Sequence, residues 1–260
     1  MRQKPKTRAR EISRPESKKL LRIAGLPAVS ALFATTPERV ERLYFDQRTQ
    51  GSVRGFCAEL ARVRKPYRLV AADELERVAG SVMHGGVVAL AEPRPMPDFD
   101  PAAAADWAHD GRPLLLLDGI GNPHNLGAIA RTAAFFGLRR MVLSDHPSQA
   151  GPSDASYRVA EGGLEYLALY RAARFAQVLQ RLRRHYRVVG TAAGGGQPIE
   201  SLPRAGKPVA LVLGNEELGL PRATLAACET IVTIPGSGAV QSLNVAASAA
   251  ILLHALARMA

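Results

Sequence analysis

Three stretches of this chain set polar side chains and glycines where apolar runs end. The first is Asp118 to Gly137, DGIGNPHNLGAIARTAAFFG. It follows the apolar run Leu114 to Leu117 and opens a helix that Asn125 can cap. Gly127 lets a backbone or ligand approach closely, and Arg131 stands six residues after Asn125. The second is Val209 to Pro221, VALVLGNEELGLP, where a buried strand ends in Gly214 and Asn215, Glu216, Glu217, Leu218 and Gly219 follow. A glycine-rich loop at a strand end turns backbone N–H and C=O groups toward a ligand. The third is Ile234 to Leu253, IPGSGAVQSLNVAASAAILL: Pro235, Gly236 and Gly238 mark a tight loop, and Ser242 and Asn244 sit at the start of an Ala- and Leu-rich helix. An arginine offers a planar fork suited to phosphate and base edges. Taken singly, each stretch reads at least as well, and the first and third better, as a capped helix or an ordinary strand-to-helix turn.

The elements that must position these residues fall into three blocks after a basic arm at 1–20. In residues 21–93, patterning predicts helices at Ala28–Phe33, Gly55–Arg64 and Asp73–Ala79, the last one capped. Strands are expected there at Arg42–Phe45, Tyr67–Val70 and Val87–Ala91, which together make a small α/β unit. Residues 94–112, with Pro95, Pro97 and Pro101, read as a linker with one short helix at Pro101–Ala108. In residues 113–260 the strands are expected at Leu114–Leu117, Met141–Ser144, Tyr166–Tyr170, Tyr186–Thr191, Val209–Leu213 and Thr230–Ile234. Helices are expected at Asn125–Phe136, Ser153–Ala160, Ala172–Arg184 and Leu243–Arg258. Continuous apolar runs alternating with helices point to an α/β domain with a mostly parallel sheet.

Composition narrows the function. The 260 residues carry 34 Lys plus Arg against 23 Asp plus Glu, a net charge of +11. Residues 1–20 alone hold eight basic and two acidic groups, which suits either phosphate neutralisation or a solubilising tail. Hydrophobic residues make up 47%, enough for real cores, yet no apolar run is long enough to cross a bilayer. Only Cys57 and Cys228 are present, which disfavours a disulfide framework and a zinc site and fits a cytoplasmic setting.

Taken together and in this order, the three stretches resemble the SpoU family of RNA ribose 2′-O-methyltransferases, within the SPOUT superfamily. The resemblance covers Leu114 to Arg258: Asn125 and Arg131 match the first motif, Gly214, Glu216, Gly219 and Leu220 the second, and Ser242, Leu243, Asn244 and Val245 the third. It implies an α/β domain closed by a deep trefoil knot, an exception to unknotted topology, and a homodimer packed around it. S-adenosylmethionine would be held mostly by backbone groups, with Leu213, Gly214, Ile234 and Leu243 at that site. Arg131, Asn125, Glu216, Ser242 and Asn244 would form the catalytic set, and no metal is implied. GLPAVSAL at Gly25 to Leu32 and HGGVVAL at His84 to Leu90 resemble the family's N-terminal RNA substrate-binding domain. Gly85 replaces a usual Gln, and Glu217, Gly236 and Ala246 are further departures from the family pattern.

A sulfonium is already activated, so methyl transfer needs a positioned 2′-hydroxyl and a route for its proton. Arginine is always protonated, so Arg131 is read as holding the adjacent phosphate and stabilising the developing alkoxide. Asn125 would orient Arg131 or the ribose, and Glu216 would hold Arg131 or Asn125. The expected substrate is structured RNA, ribosomal rather than transfer RNA. The alternative is a catalytically silent RNA-binding or ribosome-assembly factor with the same fold. A Rossmann-type reading of Gly194 to Gly196 lacks the following helix and acidic residue, so this run reads as a flexible loop.

Overall fold

The computed structural model describes residues 19–259, so nearly all of the expected basic arm lies outside the described residues. The first unit runs β1 (Leu21–Ala24), α1 (Leu26–Thr35), β2 (Val40–Phe45), α2 (Arg54–Arg62), β3 (Tyr67–Leu69), α3 (Ala72–Ala79) and β4 (Val87–Ala91). Its four-stranded sheet has the order β1-β4-β2-β3. The strand β1 was not expected from sequence. Its four residues are too few to show a period, and it exists because it pairs antiparallel with β4, Leu21 opposite Ala91. The expected cap on α3 is absent: Ala71 precedes the helix, and Asp73 and Glu74 in its first turn complement the dipole instead.

The second unit runs α4 (Ala104–Ala108), β5 (Leu114–Asp118), α5 (Pro123–Phe135), β6 (Arg140–Ser144), α6 (Asp154–Ala160), β7 (Ala168–Ala172), α7 (Phe175–Leu182), β8 (Arg187–Thr191), β9 (Val209–Gly214), α8 (Arg222–Ala227), β10 (Thr230–Val232) and α9 (Val245–Met259). Its six strands are all parallel, in the order β10-β8-β9-β5-β6-β7. Side chains alternate across the sheet: Leu115 and Leu117 enter the core beneath α5 and α9, while Leu114 and Leu116 enter the one beneath α7. β7 starts later than expected because Gly163–Tyr166 forms a 3-10 turn, and α7 starts later because β7 extends through Ala172.

The proline-rich segment is not a loose tether. The Phe99 N–H donates to Arg171 O at 2.6 Å and the Arg171 N–H donates to Pro97 O at 3.0 Å, so the segment runs along the outer edge of β7. Trp107 lies 5.0 Å from the Tyr170 ring, and the Arg140 guanidinium sits 4.5 Å above Trp107. An open strand edge is thereby covered. The two units also share one core, in which Ile23, Val29 and Leu32 join Leu126, Ile129 and Tyr157. At this joint Arg39 Nη1 donates to both carboxylate oxygens of Glu165, at 3.0 and 2.8 Å, and both side chains are buried. Arg94 Nη1 donates to the carbonyls of Leu164, Glu165 and Leu167 in the same turn. Among the described residues, no helix is long and apolar enough to cross a membrane.

Candidate active site

β5 and β9 end side by side, Asp118 opposite Gly214, at the C-terminal edge of the parallel sheet. Ligands of open α/β sheets bind at this edge. The turn after β5 is clamped by Gln149, whose Oε1 accepts from Gly119 N–H at 3.0 Å and Ile120 N–H at 3.1 Å. The cap of α5 is Asn122, not Asn125: Asn122 Oδ1 accepts from His124 N–H at 2.8 Å, and Pro123 opens the helix. The proline fixes the start earlier than the apolar pattern shows. Asn125 therefore lies within the first turn, and its amide bonds other side chains instead of capping the helix. Gly127 has its close approach, since a Cβ there would overlap the Ser156 carbonyl oxygen of α6.

Asn125 is the hub of a polar junction. Its Nδ2 donates to Glu216 Oε1 at 2.5 Å, and its Oδ1 accepts from Asn244 Nδ2 at 3.2 Å. The fold thus joins one residue from each stretch, separated by 91 and 119 positions. Asn244 also accepts from Ala246 N–H at 2.9 Å, capping the start of α9. Ser242 is exposed in the loop just before it.

The loop bearing Glu216 folds on itself. Asn215 and Gly219 exchange backbone hydrogen bonds of 3.1 and 3.0 Å, and Asn215 Oδ1 accepts from Glu217 and Leu218 N–H. Asn215 Nδ2 donates to Gly119 O at 2.8 Å, tying this loop to the turn after β5. Asn215 was not singled out from sequence; an Asn between two turn residues carries no signal of a partner 96 residues away. Gly214 admits the closure, because a Cβ there would meet Gly219 C and Leu220 N at 2.6 Å. Gly214→Ala is therefore expected to open the loop and weaken S-adenosylmethionine binding at least about tenfold, by analogy with misplacement at other sites. Calorimetric titration checks it, and unchanged affinity would show that the closed turn is not needed.

Arg131 does not join the junction. It lies further along α5, and its Nη2 pairs with Glu161 Oε2 at 2.8 Å, the two side chains 56% and 48% exposed. Of the partners expected for Glu216, Asn125 is the one it meets; the partner of Arg131 is a residue not foreseen.

The turns after β8, β9 and β10 flank one another at the same edge. At Gly194, Gly195, Gly236 and Gly238 an added Cβ would meet nothing within 4 Å. Gly196 is different from a free loop: its N–H donates to Thr233 Oγ1 at 3.0 Å, and a Cβ would meet that atom at 2.6 Å. Among the described residues, the backbone of Gly236 to Leu243 makes one internal hydrogen bond, from Ala239 N–H to Ser237 Oγ. Val240 and Leu243 expose apolar surface within this segment, and Leu218 does so in the turn after β9. Free backbone groups, apolar walls and nearby carboxylates fit an adenosine carrying a sulfonium cation. The Leu213 side chain is buried in the core, which leaves only its backbone for any ligand, and Ile234 is half-buried. Burial pushes the Cys228 thiol up to about 12 and raises that of Cys57, so neither supplies a thiolate near neutral pH. An open cleft of about 460 Å³ lies at the N-terminal ends of α7 and α8, and its buried Asp118 is already bonded by Thr224 Oγ1 at 2.6 Å.

The profile of the SpoU rRNA methylase family matches residues 112–254. This chain belongs to that family. A second profile, the substrate-binding domain of RNA 2′-O ribose methyltransferases, matches residues 22–97. Among curated relatives, a 23S rRNA (guanosine-2′-O-)-methyltransferase RlmB from Acinetobacter baylyi is 32% identical, over 90% of this chain and 95% of its own. The RlmB of Ralstonia nicotianae is 35% identical, over 91% and 94%. An AdoMet-bound rRNA methyltransferase from Sinorhizobium meliloti shares the fold, with a TM-score of 0.76 at 24% identity over 92% of this chain and 87% of its own. As a SpoU enzyme the chain is an S-adenosylmethionine-dependent RNA 2′-O-methyltransferase.

Proposed function

We propose that this SpoU methyltransferase modifies a guanosine ribose of large-subunit ribosomal RNA, with the Asn125–Glu216–Asn244 junction and Arg131 as its active site. The junction carries the reading, because it gathers one polar residue from each motif at the ligand-binding edge of the sheet. The names of the RlmB relatives supply the RNA. Bound S-adenosylmethionine supplies an activated methyl group. The chain positions the 2′-oxygen in line with it: Asn125, fixed by Glu216 and Asn244, orients the ribose, and Ser242 shapes the wall. The Arg131 guanidinium holds the neighbouring phosphate and stabilises charge growing on the oxygen, while the proton leaves to a phosphate oxygen or water.

The active unit in this reading is a homodimer. Arg131 and Phe135 lie four residues apart on one helix face, and Phe135 is 82% exposed. On the neighbouring α9 the stripe Ala247, Ile251, His254 and Arg258 is also exposed. An exposed face that mixes apolar Phe135, Ala247 and Ile251 with Arg131, His254 and Arg258 suits a second copy, which would carry Arg131 to a junction it does not reach within its own chain. The implied trefoil knot and a cytoplasmic location belong to the same reading.

The test is titration with S-adenosylmethionine read per protomer, with light scattering for oligomeric state and methylation of ribosomal RNA from a strain lacking the gene. One site per protomer, a dimer and 2′-O-methylguanosine formation are expected. A folded dimer that binds no cofactor would make the chain a silent RNA-binding factor.

A further inference from the structure

Glu161 is the one side chain in a turn otherwise built of glycines. It ends α6 at φ 44°, ψ 44°, in the left-handed region that suits glycine or asparagine. The next two residues are glycines for visible reasons. A Cβ on Gly162 would meet Ala31 Cβ at 2.7 Å and Pro27 O at 3.1 Å, and one on Gly163 would meet Arg131 Cα at 2.7 Å. The turn is thus pressed between α1 of the first unit and α5 of the second. A glutamate in this conformation costs stability, and an ion pair as exposed as Arg131–Glu161 returns little of it. Stability does not account for the side chain. Its contact does: Oε2 holds Arg131 Nη2 at 2.8 Å.

We propose that Glu161 is the positioning residue for Arg131. Its carboxylate, aimed by the strained turn, holds the guanidinium in one orientation and leaves the remaining N–H donors of the fork for phosphate and ribose. Because α1 braces the turn, the seating of the substrate-binding unit fixes the aim of Arg131. The inference rests on the role proposed above for Arg131.

The experiment is a double-mutant cycle under steady-state conditions, with kcat, KM for RNA, cofactor affinity and Tm measured for each variant. Glu161→Asn suits the left-handed backbone and removes the carboxylate. It is expected to keep or raise Tm, leave cofactor affinity and KM within about twofold, and lower kcat about tenfold. Glu161→Asp restores part of the rate. In an Arg131→Lys background, Glu161→Asn adds no further loss. A Glu161→Asn enzyme with wild-type kcat beside a crippled Arg131→Lys overturns this inference and leaves Arg131 standing. A loss that persists undiminished in the Arg131→Lys background overturns it too, since Glu161 would then act elsewhere. Wild-type turnover in Arg131→Lys and Arg131→Ala overturns both readings.

Discussion

Arg131→Ala is expected to bind S-adenosylmethionine as the wild type does and to lose about 10²–10³ in turnover, the usual cost of removing one oxyanion-stabilising donor. The expectation follows from its place in the fold. Arg131 pairs with Glu161 outside the Asn125–Glu216–Asn244 junction, and the reading proposed above assigns the cofactor to the β8, β9 and β10 turns. Its side chain is half exposed, so truncation leaves no cavity and no buried orphan, and Tm should stay within a degree or two by the usual behaviour of surface sites. Arg131→Lys keeps the charge but loses the planar fork, and should recover only a small part of the rate. The measurement is transfer of labelled methyl to ribosomal RNA, alongside calorimetry with cofactor. Parallel loss of cofactor affinity and rate would place Arg131 in the cofactor site and refute the assignment.

Glu165→Ala is expected to be the most damaging single change to stability, at about 3–5 kcal/mol, the cost of breaking a buried ion pair by removing one partner. The Glu165 side chain is fully buried and that of Arg39 is 8% exposed. Arg39 Nη2 already lacks a partner, so loss of the carboxylate would leave that guanidinium with only the neutral acceptors Glu92 O and Thr36 Oγ1 and no counter-charge in a buried joint. Arg94 Nη1, 3.8 Å from the same carboxylate, would lose its counter-charge as well. Thermal unfolding should shift down by on the order of 10 °C for a chain of this size. Arg77→Ala is the control, because its pairing with Asp73 is exposed on both sides and is worth at most about 0.5 kcal/mol. Equal shifts for the two variants would mean that the joint is wetter than its geometry implies.

Much of the fold is legible in the sequence because buried parallel strands are written as apolar runs. LLLL at Leu114 to Leu117 and VALVL at Val209 to Leu213 announce the two central strands, and the motif glycines mark where they end. What is not legible is pairing between distant segments. β1 is defined by β4, and α8 is a six-residue helix too short to show a period. Asn122 and Asn125 are both plausible caps in NPHN, and Pro123 decides between them by fixing the first helical residue. The candidate site divides along the same line. Of the residues named for their motifs, Asn125, Glu216 and Asn244 meet while Arg131 does not, and the residues that tie these turns down, Asn215, Gln149 and Glu161, are single polar residues in turns. Their partners lie 96, 30 and 30 positions away, and no local pattern encodes such a distance.

The covered edge of β7 has a bearing on how this enzyme can be taken apart. A protein chemist would cut at the proline-rich stretch, as at any spacer between modules. Here that cut would strip hydrogen bonds from an outer strand, uncover the Tyr170 ring and leave a buried glutamate without its arginine. The excised catalytic half would begin life with an unpaired strand edge and its share of the joint core, Leu126, Ile129 and Tyr157, open to water, and would be recovered as aggregate. The two halves are therefore not interchangeable parts, and grafting a foreign RNA-binding module would require carrying residues 94–112 and the Arg39 contact along with it.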